Sequence, residues 1–431
     1  MTSPLIRIEG PTPLFGEIDV RGAKNAALPL LMAAAAGSAP VTLTNLPTEL
    51  RDIQAEIEAL RYIGCNVEQA DGTATLALSD PTTTELPPEI SGKIRTSLLF
   101  LGLLAGRFGH AKITMPGGCD LGDRKFDLHL EGLRLLGADI HVDEHSIEVT
   151  AKKLKGADIH FYLPSTTGTE NVMIAACFAE GRTRIFNANT RPEVADLAVC
   201  LNAMGARISV RNRVVEVEGG RLLGGATHKV MKGWDEAVTY ILAAGLSGGE
   251  ICIRDFSTDF IRNDVAYMRD AGLDVFEWGG NLYASGKGKK LRAFDLFTAP
   301  YPGVNSDMQP LFAAFASKCE GSTSVTDQRF TERFQYAAEL RKMGVPIESY
   351  GNCAVIEGPA RLKGANVRAL DLRCGAALVM AGLAAEGTTV IDNCQQIYRG
   401  YELLVPRLRS LGANISGETE ETNVRLQPSH A

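Results

Sequence analysis

One five-residue phrase occurs six times along the chain, and this repetition limits the possible folds more than any other feature. It reads Leu60-Arg61-Tyr62-Ile63-Gly64, Leu133-Arg134-Leu135-Leu136-Gly137, Leu201-Asn202-Ala203-Met204-Gly205, Met268-Arg269-Asp270-Ala271-Gly272, Leu340-Arg341-Lys342-Met343-Gly344 and Leu408-Arg409-Ser410-Leu411-Gly412. The closing glycines stand 67 to 73 positions apart. Each phrase has the form of a last helical turn ended by a glycine that can take the left-handed conformation. A short alternating strand follows, such as Ala138-Asp139-Ile140-His141-Val142.

A second phrase lies between these, in which a helix of small residues ends near glycine and a β-rich strand begins. It starts at Gly37, Gly109, Gly181, Gly249, Gly321 and Gly387. The helices expected before it, such as Ala26 to Ala36 and Ala376 to Ala385, are apolar on all sides and have to be buried. Each repeat therefore holds two helices and several short strands. A chain of 431 residues is too long for one ordinary core. Six such units point to two domains of three units each. A solenoid is the alternative, although repeats of this length exceed the usual range of about 20–50 residues.

Composition removes several classes of function. The net charge of −7 gives no basic excess for a nucleic-acid partner. No run of about 18 apolar residues suggests a membrane span, and Met1 to Gly10 lacks the pattern of a secretory signal, so a cytoplasmic protein is expected. The nine cysteines are scattered, odd in number and without a Cys-x-x-Cys pair, which fits free thiols in a reducing compartment. Most read as small core residues. His129, His141 and His145 have no ligand-like partners in the sequence. Neither a metal nor a cofactor is expected.

Four segments place charge or a nucleophile beside glycine. Arg21-Gly22-Ala23-Lys24-Asn25 sets Lys24 at the start of a buried helix, where its charge opposes the helix dipole unless an anion is near. By itself Lys24 reads as a solvated helix-start lysine. Pro116-Gly117-Gly118-Cys119-Asp120 is a loop whose glycines allow close approach to a ligand, although a lone cysteine is more often inert. Asn305-Ser306-Asp307 ends a Pro/Gly loop, and Asp307 by itself reads as a helix cap. Arg95, Arg333, Arg373 and Arg399 stand in otherwise uncharged settings, each alone an ordinary ion-pair candidate. Taken together, these residues suit a polyanion carrying both phosphate and carboxylate, because arginine matches both bidentately.

On the phrases Gly-Ala-Lys-Asn-Ala-Ala-Leu-Pro and Pro-Gly-Gly-Cys the chain resembles the enolpyruvyl transferase family. Thr169-Glu170-Asn171, Ser306-Asp307-Met308-Gln309, Arg333-Phe334, Asp371-Leu372-Arg373 and Arg399-Gly400-Tyr401-Glu402 match in the same order. It is more similar to the branch acting on UDP-N-acetylglucosamine in cell-wall synthesis than to the shikimate branch. The resemblance implies two inside-out α/β barrel domains of three repeated units each, closing on the ligand. One would run from 22 to 229, and the other would combine 1–21 with 230–431. It also implies roles. Lys24, Arg124 and Arg399 hold phosphoenolpyruvate, Asp307 takes the proton from the acceptor hydroxyl, and Cys119 protonates the methylene carbon and is open to alkylation by fosfomycin. Asn25 touches the acceptor. Arg95, Arg333, Asp371 and Arg373 complete the substrate-binding set.

The chain departs from the family pattern on the nucleotide side. Arg124-Lys125-Phe126 replaces the usual Arg-Pro. Ser165-Thr166-Thr167-Gly168 replaces Ser-Val-Gly-Ala, and Lys232-Gly233-Trp234-Asp235-Glu236 replaces Pro-Asp-Arg-Ile-Glu. Lys125, Ser165, Thr166 and Thr167 are therefore expected at the nucleotide end of the site. There the acceptor stays open between UDP-N-acetylglucosamine and another uridine nucleotide such as UMP. A catalytically silent, ligand-binding relative of these enzymes is the third reading.

Overall fold

The computed structural model describes residues 5–116, 126–330 and 332–417. Cys119, Arg124 and Lys125 lie outside them. The chain forms two compact units, whose described parts are 21–116 with 126–232, and 5–20 with 233–417. They are called here the Lys24 unit and the Asp307 unit.

The repeat has a clear structural meaning. Gly64, Gly137, Gly205, Gly272, Gly344 and Gly412 all have positive φ, between 87° and 105°. Each ends an outer helix in a conformation that costs glycine little and other residues more. The second phrase is less uniform. Gly109, Gly181, Gly321 and Gly387 are left-handed. In the fourth repeat that role moves one position earlier, to Gly248 with φ 73°, and Gly37 is extended with φ −70°. There the helix runs straight into the connection without a left-handed stop.

The described residues form six four-stranded sheets. Each holds one parallel pair followed by two antiparallel pairings. In the sheet of Asp158–His160, Arg182–Phe186, Val214–Glu218 and Arg207–Arg211, for example, the parallel crossover is made by the Thr166–Phe178 helix. Ala226–Lys229 pairs in parallel with Val41–Thr44, so the last strand of the Lys24 unit returns to its first repeat. In the Asp307 unit, Phe15–Ile18 pairs with Glu250–Ile253 and Ile6–Gly10 pairs with Gly387–Asp392. Both trios therefore close on themselves, and the chain is not an open solenoid.

The cores follow from the apolar helices. In Lys24–Ala36 every residue from Ala26 onward is buried, and Leu372–Ala384 is buried throughout. In the Lys24 unit the three core helices run parallel. Gly102 donates its N–H to Asn171 Oδ1 at 3.0 Å, and Gly106 lies against Ala175 and Phe178, so both helices advance together. A Cβ at Gly102 would stand 2.3 Å from Asn171 Oδ1, which makes glycine a condition of this approach. Near the far end Arg107 donates to the Ala35 carbonyl at 2.7 Å. Parallel helices place their positive dipole ends on the same side of the core, and the candidate site residues stand there. Among the described residues no helix is long and apolar enough to cross a membrane.

Candidate active site

In the Asp307 unit the core helices Trp234–Ser247, Gln309–Ala316 and Leu372–Ala384 meet at their starts through charged side chains. Asp371 caps the last of these, accepting from the Arg373 and Cys374 N–H groups at 2.7 and 2.9 Å. This cap fixes the first turn and directs Arg373 inward, where it is only 1% exposed. Its Nη2 pairs with Asp235, its Nη1 donates to the Tyr401 hydroxyl at 2.8 Å, and Nη2 also stands 3.7 Å from Asp307 Oδ2. The Asp307 Oδ1 accepts from Arg333 Nη1 at 2.7 Å. Arg333 Nη1 also reaches Ser306 Oγ at 3.4 Å, and Ser306 donates to buried Asp327.

Two buried arginines are costly without partners, and here the partners decide the balance. Burial works against the charge on Arg373, but Tyr401, Asp235 and Asp307 outweigh it and hold its pKa well above the ordinary value. Burial also opposes Arg333, and Asp307 and Asp371 overcome it in the same way. The Nε atoms of both arginines are buried and have no hydrogen-bond partner among the described residues. Both guanidinium groups thus keep an unspent donor. The Asp307 side chain is 28% exposed, a carboxylate flanked by two fixed cations.

Asp307 does not cap the helix. Asn305 caps the short 3-10 turn that precedes it, Ser306–Met308, its side chain accepting from the Asp307 N–H at 2.8 Å. Arg399 ends a second 3-10 run, Cys394–Arg399, which packs on the Leu372–Ala384 helix, with Ile397 against Gly375. Arg399 is half-buried and its Nη1 lies 3.5 Å from Gln396 Oε1. Trp234 is 4% exposed and belongs to the core.

In the Lys24 unit the helix starts carry different groups. Lys24 is not solvated: its Nζ pairs with Asp52 Oδ2 at 3.1 Å, with the two side chains 13% and 11% exposed. Asp52 therefore supplies the anion that a lysine at a helix start requires. One turn further along the Arg51–Tyr62 helix, Glu56 is fully buried and accepts from Thr96 Oγ1 at 2.6 Å, next to half-buried Arg95. Burial, and Asp52 close by, push the Glu56 pKa up to about 8. Ser165 caps the Thr166–Phe178 helix by accepting from the Gly168 N–H at 3.1 Å. Thr166 Oγ1 accepts from Asn189 at 3.1 Å, and Thr167 Oγ1 bonds His129 Nε2 at 3.0 Å. Burial and then Arg95 hold the His129 pKa down to about 3, so the imidazole is neutral. Asn25 is half-buried at the helix start.

The structure thus gathers Asp307, Arg333, Arg373 and the Asp371 cap in one unit. In the other it gathers Lys24 with Asp52, and Thr167 with His129. Sequence reasoning missed Asp52, Glu56, Asp235 and Tyr401, and it read His129 only as structural or solvated. A signal for Asp52 and Glu56 existed. They share the buried stripe of their helix with Ile53, Ile57 and Leu60, a place where carboxylates are rarely found.

The chain is similar to known proteins over nearly its whole length. The family model described as EPSP synthase (3-phosphoshikimate 1-carboxyvinyltransferase) matches residues 8–408. A UDP-N-acetylglucosamine 1-carboxyvinyltransferase from Sorangium cellulosum is 40% identical over 411 residues, covering 95% of this chain and 97% of that one. A protein called UDP-N-acetylglucosamine 1-carboxyvinyltransferase 1, from Caldanaerobacter subterraneus, is 40% identical over 409 residues, covering 95% and 98%. Among solved structures, the enolpyruvyl transferase NikO from Streptomyces tendae superposes with a TM-score of 0.88 at 26% identity, covering 97% of this chain and 99% of that one. The fold, the repeats and the matches over nearly the whole length lead to one conclusion: the chain belongs to the EPSP synthase family of enolpyruvyl transferases.

Proposed function

We propose that the protein transfers the enolpyruvyl group of phosphoenolpyruvate to the 3-hydroxyl of UDP-N-acetylglucosamine and releases phosphate. The observation that carries this reading is the Asp307 carboxylate, part-exposed and held between Arg333 and Arg373. The acceptor is supported by the relatives of that name at about 40% identity over nearly the full chain.

The reaction balances with protons alone. Asp307 takes the proton of the acceptor hydroxyl as its oxygen bonds to C2 of phosphoenolpyruvate. Cys119 delivers a proton to C3, and the double bond becomes a methyl group. In the resulting tetrahedral adduct the Cys119 thiolate takes a C3 proton, the double bond re-forms, and the C2–O bond to phosphate breaks as the departing phosphate takes the proton held by Asp307. A general base at the hydroxyl and a general acid at carbon are the two groups this requires. The adduct carries phosphate and carboxylate on one carbon, so a fixed cationic lining is the main source of stabilisation. Lys24, Arg124 and Arg399 are assigned to phosphoenolpyruvate, and Arg333 and Arg373 to the developing charge. Asn25, Arg95, Lys125, Ser165, Thr166 and Thr167 are assigned to the acceptor, and Asp371 to holding Arg373. The enzyme works in the cytoplasm on small molecules, without nucleic acid, membrane or cofactor. Fosfomycin should add to Cys119, and peptide mass mapping will show it there and not on the buried thiols.

A second acceptor is favoured by Lys125 and by the run Ser165-Thr166-Thr167-Gly168, together with the likeness to NikO. It would be another uridine nucleotide such as UMP. Competition decides between the two. Purified protein is given phosphoenolpyruvate with equal UDP-N-acetylglucosamine and UMP, and phosphate and product mass are recorded. The proposal predicts an enolpyruvyl adduct of the UDP-sugar. Turnover of UMP alone would replace the acceptor, and phosphate release with neither would leave a ligand-binding protein.

A further inference from the structure

The segment Lys232-Gly233-Trp234-Asp235-Glu236 departs from the family pattern, and its aspartate is buried among the charges around Asp307. An acidic residue in a first helical turn usually needs no special explanation, because it suits the dipole. Asp235 does this with one oxygen, Oδ1 accepting from the Glu236 N–H at 3.0 Å. Its other oxygen pairs with Arg373, which is 1% exposed. The opposite side of Arg373 is held by the Tyr401 hydroxyl at 2.8 Å, and Tyr401 is fixed by Thr239 Oγ1 at 2.7 Å. Held in this way, Arg373 Nη2 stands 3.7 Å from Asp307 Oδ2, beyond hydrogen-bond length. Arg333, by contrast, is bonded to Oδ1 at 2.7 Å.

We propose that Asp235 is a positioning residue for the transfer, holding Arg373 together with Tyr401 so that it flanks Asp307 without closing a second full ion pair on it. The inference rests on the reading of Asp307 as the base. A carboxylate clamped by two arginines is a poor proton acceptor, because both cations favour its charged form and compete for its lone pairs. Holding Arg373 at 3.7 Å weakens the competition of this one cation for the Asp307 lone pairs. Asp235 therefore acts through Arg373 and touches no substrate. Without the Asp235 charge, the anionic pull that keeps Arg373 away from Oδ2 is weakened.

The test is the separation of kcat from the KM for phosphoenolpyruvate in Asp235→Asn and Asp235→Glu, with melting temperatures as a control. Asp235→Asn should lower kcat by about tenfold, a part of the ~10²-fold or more that a general base contributes, and leave KM within about twofold. Asp235→Glu, which keeps the charge, should recover most of kcat. Tyr401→Phe removes the second hold and should lower kcat about threefold at unchanged KM; it carries the test if Asp235→Asn does not fold. Wild-type kcat in Asp235→Asn, equal losses in the Asn and Glu variants, or an unaffected Tyr401→Phe would each overturn the inference. Asp307→Asn in the same assay separates the two layers. Full turnover there removes the base itself, whereas an inactive Asp307→Asn beside an unaffected Asp235→Asn removes only this role.

Discussion

The two units repeat one scaffold but equip their helix starts in opposite ways. Around Asp307 the groups are charged and paired: Asp235 and Asp307 face Arg333 and Arg373. Around Lys24 the groups are mixed: the Lys24–Asp52 pair is charged, and two buried groups nearby are held neutral. Glu56 is held protonated, His129 is held unprotonated, and Thr96 and Thr167 bond to them. The difference comes from which partners the chain brings within reach. An acid beside two arginines keeps its charge. An acid buried one helical turn from another acid gives its charge up. The first arrangement holds a fixed field, while the second leaves cationic Lys24 less opposed by anions and better able to attract one.

That contrast can be broken from either side. The largest expected effect is on stability in the charged cluster. Arg373→Met leaves Asp235 buried and unpaired, and should cost about 3–5 kcal/mol in the denaturant midpoint. A loss below about 1 kcal/mol would show that the cluster is not a set of interdependent charges. Next is Asp307→Asn. It takes the charge from the partner of buried Arg333, so the melting temperature should fall, and kcat, measured where the variant is folded, should fall by at least ~10²-fold, as for other acid–base groups. Near-normal turnover would return Asp307 to a structural role.

The neutral side gives the third and smallest effect, and it depends on pH. The folded-state pKa of Glu56, about 8, lies above the ordinary value of 4.5. The stability tied to its protonated form is complete below the unfolded value and is lost as pH rises towards 8. Glu56→Gln keeps the shape and removes the titration. Relative to wild type, the variant should be unchanged near pH 4.5 and gain about 1–3 kcal/mol by pH 8, read from denaturation at both values. An equal difference at the two values would mean that Glu56 is charged in the fold, and the contrast between the units would fail.

The repeat glycines made much of the architecture legible. A left-handed residue after a helical turn leaves a local signature, and all six glycines of the first phrase take that conformation. The apolar helices were equally plain, because their burial follows from composition. Lys24, Asp307, Arg333 and Arg373 were found as candidates, but their partners were not. Asp235 and Arg373 are 138 positions apart, and no local pattern links them. Lys24 looked solvated because its anion arrives from a different helix. The displaced pKa of Glu56 exists only once the stripe it shares with Ile53 and Ile57 is packed. Local geometry is written in neighbouring residues, whereas electrostatics depends on where distant ones meet.

The central claim is addition of the acceptor across the enol double bond followed by elimination of phosphate. It is tested most directly by running the reaction in D2O with phosphoenolpyruvate and UDP-N-acetylglucosamine and reading the product by mass and proton NMR. Addition–elimination puts a solvent deuteron on C3 while that carbon is a methyl group, so the account predicts an enolpyruvyl product with deuterium in its vinyl methylene. Product formed with release of phosphate but with no deuterium on that carbon would mean the double bond is never protonated, and would contradict the account.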